Sequence, residues 1–271
     1  MNRLFESWTL GLGLILLGSL TPAEAQVTVM GELSYDRQAA PGETYEGSVR
    51  IRNDGKEPAE VKVYQTDYHF QCDRTTHYDE PGTSPRSNAR WISLRPERLL
   101  VSPGGTAKIR YTVSIPAQDS LVGSYWSMVM IEEIGRGSPE SGQRDAEVGL
   151  GVRQILRYGV QLATHLASGG ERSLEFRDVQ LRSETDSTSV LEFSVACTGS
   201  LWMRPAVYAE VYDAQGLSQG TFTGKEYRMY PGTCVMQAIR LPKFPPGNYK
   251  ALLVVDAGGE DVFGAQFTCS F

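Results

Sequence analysis

From Trp91 to Trp126 the chain alternates short apolar runs with turn residues at a spacing that a β-rich fold accommodates and a helical one does not. Trp91-Ile92-Ser93-Leu94-Arg95-Pro96 gives way to Val101-Ser102-Pro103-Gly104-Gly105, then to Ile109–Pro116, then to Gly123-Ser124-Tyr125-Trp126. Successive side chains of a strand point to opposite faces, so apolar residues at period two mark strands with one buried face. Gly, Pro, Asn and Asp end such runs because they take turn conformations cheaply. The pattern recurs at Leu99–Val101, Ile109–Val113 and Tyr125–Ile131. In the second half it returns at Leu191, Phe193, Val195 and Cys197, at Val207, Ala209 and Val211, and at Phe263, Ala265, Phe267, Cys269 and Phe271. Val49–Ile51 runs into Asn53-Asp54-Gly55, which predicts a hairpin resumed by Val61, Val63 and Tyr64. Near the end, Pro245-Pro246-Gly247-Asn248-Tyr249 reads as a turn with a tyrosine anchoring the corner of a penultimate strand. No amphipathic helical period is visible after the first 25 residues. The predicted fold class is all-β, two immunoglobulin-like β-sandwich domains.

The first residues place this chain outside the cytoplasm. Arg3 precedes an apolar run from Leu10 to Leu20 broken only by glycine and serine, and Ala23-Glu24-Ala25 precedes Gln26. This reads as a cleaved signal peptide, residues 1–25, because about a dozen apolar residues fall short of the ~20 a membrane-spanning helix needs. A periplasmic or extracellular product follows, with no transmembrane segment in the mature chain. With 26 Lys and Arg against 32 Asp and Glu, net −6, and no basic run, nucleic acid is excluded as a partner. Ser168-Gly169-Gly170 is the predicted hinge between a first domain, 26–168, and a second, 171–271. The stretch Gly135–Glu147 lacks any large apolar residue and is predicted to be a loop. After it Val148, Leu150, Val152, Leu156, Tyr158, Val160 and Leu162 share one parity, predicting a long strand that closes the first domain.

The four cysteines are Cys72, Cys197, Cys234 and Cys269. An even count in an exported chain predicts disulfides, and the lack of a C-x-x-C spacing argues against a redox motif or thiolate zinc site. A sandwich meander would bring the end of the strand at Cys197 beside the start of the strand at Cys234, so Cys197–Cys234 is the predicted bridge. Parity leaves the faces open: Cys234 goes with Met236 and Ala238, while Val235, Ile239 and Leu241 look equally core-like. Cys72 and Cys269 would be unpaired or meet across domains.

Candidate chemistry is sparse. Asp67, His69, Cys72, Asp73, His77 and Asp79 hold ligand types suited to a metal, but histidines eight apart lack the spacing that sets two ligands on one face, and a hairpin with Asp73 starting its turn explains them as well. Gly216-Leu217-Ser218-Gln219-Gly220 matches G-x-S-x-G, yet no helical period follows, as a nucleophile elbow requires. Glu132-Glu133 and Glu260-Asp261 are neighbours on strands, point to opposite faces, and read as solvated strand ends. His165 has no acidic neighbour in sequence and reads as structural. Trp91, Tyr125 and Trp126 could stack on sugar rings, although Tyr125 and Trp126 must face opposite ways. No catalytic residue, metal or cofactor is predicted.

On the strength of Asn53-Asp54-Gly55, Trp91-Ile92, Pro103-Gly104, Pro116 and Gly123-Ser124-Tyr125-Trp126, the first domain resembles that of PapD-like periplasmic pilus chaperones. It is similar also to the sandwich domains of WxL or peptidoglycan-binding surface proteins. In pilus chaperones two basic residues, one on the first strand and one on the last strand of this domain, anchor a subunit's terminal carboxylate, and the last strand completes the subunit's sheet. The resemblance implies partner-binding residues Val148, Leu150 and Val152, with Arg153 or Arg157 as the second basic position. The first strand, Val27–Ser34, carries no basic residue, and Arg37 comes only after it. The implied function is non-enzymatic: an exported chaperone-like or assembly protein that binds a secreted or surface polypeptide by β-strand addition. The alternative is an envelope surface module that binds wall polymer or supports a surface structure.

Overall fold

The structure, a computed structural model, describes residues 27–135, 138, 140–141, 156–167, 169–185 and 187–271. Ten strands come first: β1 (Val27–Met30), β2 (Ser34–Ala39), β3 (Thr44–Asn53), β4 (Ala59–Phe70), β5 (Thr76–Asp79), β6 (Ile92–Arg95), β7 (Arg98–Val101), β8 (Thr106–Ser114), β9 (Gly123–Ile134) and β10 (Arg157–Leu166). Seven follow: β11 (Leu174–Ser183), β12 (Thr188–Cys197), β13 (Ala206–Tyr212), β14 (Ser218–Thr223), β15 (Cys234–Pro242), β16 (Asn248–Asp256) and β17 (Val262–Ser270). One 3-10 turn, Ala89–Trp91, is the only helical element among the described residues.

The alternation read from the sequence decides which face of each strand is buried. In β3, Val49 and Ile51 are fully buried while Arg50 and Arg52 stay exposed; in β8, Ile109 and Val113 are buried between exposed Lys108, Arg110 and Ser114. Each such aliphatic side chain contributes roughly 1.5–3 kcal/mol on burial. Strands β1-β3-β8-β6 form one sheet, and β2-β10-β9-β4-β5, with β7 also on β4, form its partner. Val49, Ile51, Ile109, Val129, Ile131 and Val160 belong to the core between them. In the second half β11-β12-β15 faces β14-β13-β16-β17 around Leu191, Phe193, Ala209, Ile239 and Leu253. No strand of the first pair of sheets is hydrogen-bonded to a strand of the second. The fold is all-β and built of two sandwiches, as the sequence predicted, with Gly169 and Gly170 both at positive φ between β10 and β11.

The predicted tyrosine corner is present. The Tyr249 hydroxyl donates to the Pro245 carbonyl at 2.9 Å while its ring packs in the second core. Tyr249→Phe keeps the ring and loses the bond, so urea unfolding should show a loss of about 1 kcal/mol.

Three expectations are corrected. Asn53-Asp54-Gly55 does not join a hairpin: β3 pairs with β1 and β8, and β4 with β5, β7 and β9. The segment carries the chain across to the other sheet. Buried Asn53 stabilises the crossing, its amide donating to the carbonyls of Glu57 (2.7 Å) and Val101 (2.9 Å) while its oxygen accepts from Gly55 N (2.9 Å). The disulfide is Cys72–Cys234, with Cα atoms 4.7 Å apart, and not Cys197–Cys234. The strands at Cys197 and Cys234 are adjacent as predicted, but Cys234 lies opposite Ala196, so Cys197 points to the other face, into the core with Val195 and Val235. Glu132 is not a solvated strand end, being only 9% exposed and held in an ion-pair network.

Candidate functional site: an open strand edge beside a groove

The predicted partner-binding strand is present as β10, starting at Arg157 and running to Leu166. Val148, Leu150, Val152 and Arg153 lie outside the described residues, as does the signal peptide. Tyr158, Val160 and Leu162 face the core, as their shared parity predicted. β10 is antiparallel to β9 along its whole length, but β2 runs parallel to it only from Gln161 onward, starting at Ser34. The reason lies at Gly31, whose φ of 99° turns the chain between β1, on the first sheet, and β2, on the second. Gln161 N–H donates outward to the Leu33 carbonyl at 2.8 Å. Alternation therefore aims the backbone groups of Gly159 and Arg157 the same way, where no strand among the described residues pairs with them. Among the described residues, this part of the β10 edge, in line with β2, is unpaired.

Arg157, the one predicted basic residue within the described residues, is engaged. Its Nε lies 2.7 Å from Glu132 Oε2, which also accepts from the Tyr64 hydroxyl at 2.8 Å, and Lys62 Nζ is 3.3 Å from Glu132 Oε1. Burial opposes ionisation of Glu132, yet hydrogen bonds from Tyr64 and Arg157 and the charges of Arg157 and Lys62 outweigh it and hold the carboxyl below its usual range. Arg37 sits on β2, 3.9 Å from Glu43, with its guanidinium over the Tyr45 ring.

Beside this edge, an open groove of about 830 Å³ separates the two sandwiches. Tyr68, Phe70 and Tyr230 form its apolar wall, while Arg74, Arg204 and Lys225 lie around it. Among the described residues, Gln161 Nε2 is buried here without a hydrogen-bond partner, and the Tyr230 hydroxyl is buried beside Arg228 and Ser34. Burial pushes the Tyr230 hydroxyl up to about 12, and nearby Arg228 and Ser34 only partly oppose that.

The two sandwiches are joined at several points. Trp126 is covered by Tyr230 at a centroid distance of 4.8 Å, and Trp202 stacks on His165 at 5.0 Å. Ser124 N–H donates to the Ser200 carbonyl at 2.8 Å, and Asp36 pairs with Arg228. Trp126 is therefore joint packing, and Tyr125 is core, with half-buried Trp91 tilted against it at 4.7 Å; neither buried ring is open to a sugar.

Ser124, His165 and Asp36 stand in the order of a hydrolytic triad. Ser124 Oγ is 2.9 Å from His165 Nδ1, and His165 Nε2 is 3.1 Å from Asp36 Oδ1. Yet Ser124 is fully buried and its oxygen accepts from Trp202 N–H at 3.0 Å, so no substrate carbonyl can reach it. The acidic partner of His165, invisible in sequence, comes from β2. These residues hold the joint.

Burial works against ionised Asp36, but hydrogen bonds from His165 and Arg228 prevail and keep its pKa below the ordinary 3.8. Asp36 and Glu132 thus both bind protons less readily folded than unfolded. Their stabilisation is complete above about pH 4.5 and is lost as pH falls through the lowered folded values. Thermal unfolding followed from pH 6 to pH 3 should show Tm falling, with a shallower fall for Asp36→Asn.

His69 and His77 lie directly opposite on β4 and β5 with rings stacked 5.0 Å apart, a juxtaposition their separation in sequence concealed. Among the described residues, no group of three or more His, Cys, Asp or Glu is arranged to hold a metal ion. Ser218 opens β14 after a turn, so G-x-S-x-G is a strand connection and no elbow.

No protein-family model matches the sequence, and no curated protein matches it. Solved structures similar to the chain include the class 5 fimbriae chaperone CfaA, 13% identical over 89% of this chain and 98% of that one, TM-score 0.47. Another is a chain of the chaperone–tip adhesin complex of CFA/I fimbriae, 12% identical over 90% and 98%, TM-score 0.48. A third comes from the CsuC–CsuE chaperone–tip adhesion subunit pre-assembly complex of Acinetobacter baumannii Csu pili, 13% identical over 89% and 98%, TM-score 0.46. At these identities and TM-scores the likenesses assign no family to the chain. No helix among the described residues is long and apolar enough to cross a membrane.

Proposed function

We propose that this chain is a non-enzymatic, chaperone-like protein of the periplasm or cell exterior that binds a secreted or surface polypeptide by strand addition. The observation that carries this reading is the interrupted pairing of β10: β9 on one side throughout, β2 on the other only from Gln161. An extended segment laid against Arg157–Val160 continues the sheet in line with β2, main-chain hydrogen bonds supplying affinity. The groove alongside, with its buried Gln161 and Tyr230 polar atoms and its basic rim, lies where such a segment meets the second sandwich. The chain divides in this reading into a signal peptide (1–25) and two sandwich domains (26–168 and 171–271).

The test is affinity capture of the tagged full chain from the exported fraction of its own cells, with mass spectrometry of what is retained. One or a few exported polypeptides, lost when the β10 edge is blocked, support the reading. Cosedimentation with purified cell wall and no retained polypeptide would replace it with the surface-module alternative.

A further inference from the structure

The disulfide joins the two sandwiches to each other. Cys72 lies at the turn of the β4–β5 hairpin, where Gln71 N–H donates to the Thr75 carbonyl at 3.0 Å and Arg74 N–H to the Gln71 carbonyl at 3.1 Å. Cys234 opens β15 and is set on the face away from the second core, where Val235, Gln237, Ile239 and Leu241 point. Trp126 Nε1 anchors the base of the hairpin at the Tyr68 carbonyl (2.7 Å), while its tip and β5 are lightly held. Among the described residues β5 pairs with β4 alone, at the end of its sheet, and all four of its residues are exposed. Its contacts with the second sandwich include Phe70 against that core and Arg74 Nη2 3.4 Å from Met236 Sδ. Tyr68, Phe70, Arg74 and Thr76 of this hairpin line the groove together with Tyr227 and Met236 of the second sandwich.

We propose that Cys72–Cys234 is a latch that fixes the hairpin as a groove wall, so that partner capture requires prior oxidation of these two thiols by a disulfide-bearing exported oxidant. In that step the two thiols give up two protons and two electrons, one S–S bond forms, and the oxidant's own disulfide is reduced to a dithiol. Thiol oxidation thus precedes capture in the sequence of events. The two other cysteines do not compete. Cys197 points to the opposite face of its sheet, where burial pushes its thiol up to about 11 and keeps it protonated, and Cys269 is buried in the second core. The latch follows from connectivity alone; its effect on capture rests on the strand-addition reading above.

The experiment compares the oxidised full chain with the Cys72→Ser/Cys234→Ser double variant by amide hydrogen exchange and by trypsin cleavage after Arg74. Oxidised protein treated with a reductant takes the variant's place should the variant fail to accumulate. With the latch open, exchange over residues 68–79 and cleavage at Arg74 should rise at least tenfold, protection in β9 and β16 should persist, and capture should fall. Unchanged exchange and cleavage overturn the latch, as does exported protein in which both thiols can be alkylated. A loosened hairpin with undiminished capture overturns the requirement for oxidation. Should capture fall with the latch open yet resist blocking of the β10 edge, the latch stands and the strand-edge reading fails.

Discussion

Arg157→Pro is expected to weaken capture of the exported partner more than about tenfold beyond Arg157→Ala, a difference of roughly 1.4 kcal/mol. The alanine variant removes the guanidinium and its contact with Glu132 but keeps the outward N–H; proline removes that donor and sets its ring in the path of an added strand. A main-chain hydrogen bond contributes about 0.5–1.5 kcal/mol, and the ring also disturbs the register of its neighbours. The fold should tolerate the change. Alternation points the Arg157 amide away from β9, so no ladder bond is lost, and proline is accepted at the first residue of a strand. Binding isotherms with the captured partner, alongside unchanged far-UV dichroism, provide the comparison. Equal affinities for the two variants would remove main-chain pairing from the account.

Asp67→Ala should cost about 3–5 kcal/mol of stability, measured by urea unfolding. Asp67 is fully buried on β4 and accepts from Gly82 N at 3.0 Å, Ser84 N at 2.6 Å and Ser87 Oγ, while the Thr83 hydroxyl, 3.4 Å away, donates to the Glu80 carbonyl at 2.8 Å. Alanine leaves the Gly82 and Ser84 amides and the Ser87 hydroxyl without this acceptor. The damage should reach the site, because the same segment offers the Arg86 carbonyl to Trp126 N–H at 3.0 Å, and Trp126 packs beneath Tyr230 at the joint. Asp67→Asn keeps the size and one acceptor oxygen, so it should fall between alanine and wild type.

What the sequence revealed was local. The parity of Tyr158, Val160 and Leu162 fixed which face of β10 meets the core, and Pro245 to Tyr249 carried its corner bond within five residues. What it concealed depended on distant partners. Asn53-Asp54-Gly55 has hairpin chemistry, but the Val101 carbonyl, 48 residues away, recruits the asparagine to a crossing between sheets. Strand adjacency placed Cys197 beside Cys234 correctly. The bridge went elsewhere because the β15 core face is set by Val235 and Ile239, leaving Cys234 turned toward the hairpin. For the candidate site, the strand was legible from Arg157 to Leu162, the part within the described residues, and its edge was not: among those residues β2, more than a hundred positions earlier, begins pairing only at Gln161. Likewise, no local signal joins Asp36 to His165, or Arg157 to Glu132.

The most direct test is site-specific photocrosslinking in the exporting cells, with the probe at exposed Leu156, next to the open edge, and a control at exposed Leu217 in the second sandwich. An exported polypeptide crosslinked from Leu156, absent from Leu217 and abolished by Arg157→Pro, is the expected result. Crosslinks that persist with the proline in place, or that arise equally from Leu217, would contradict capture at the β10 edge.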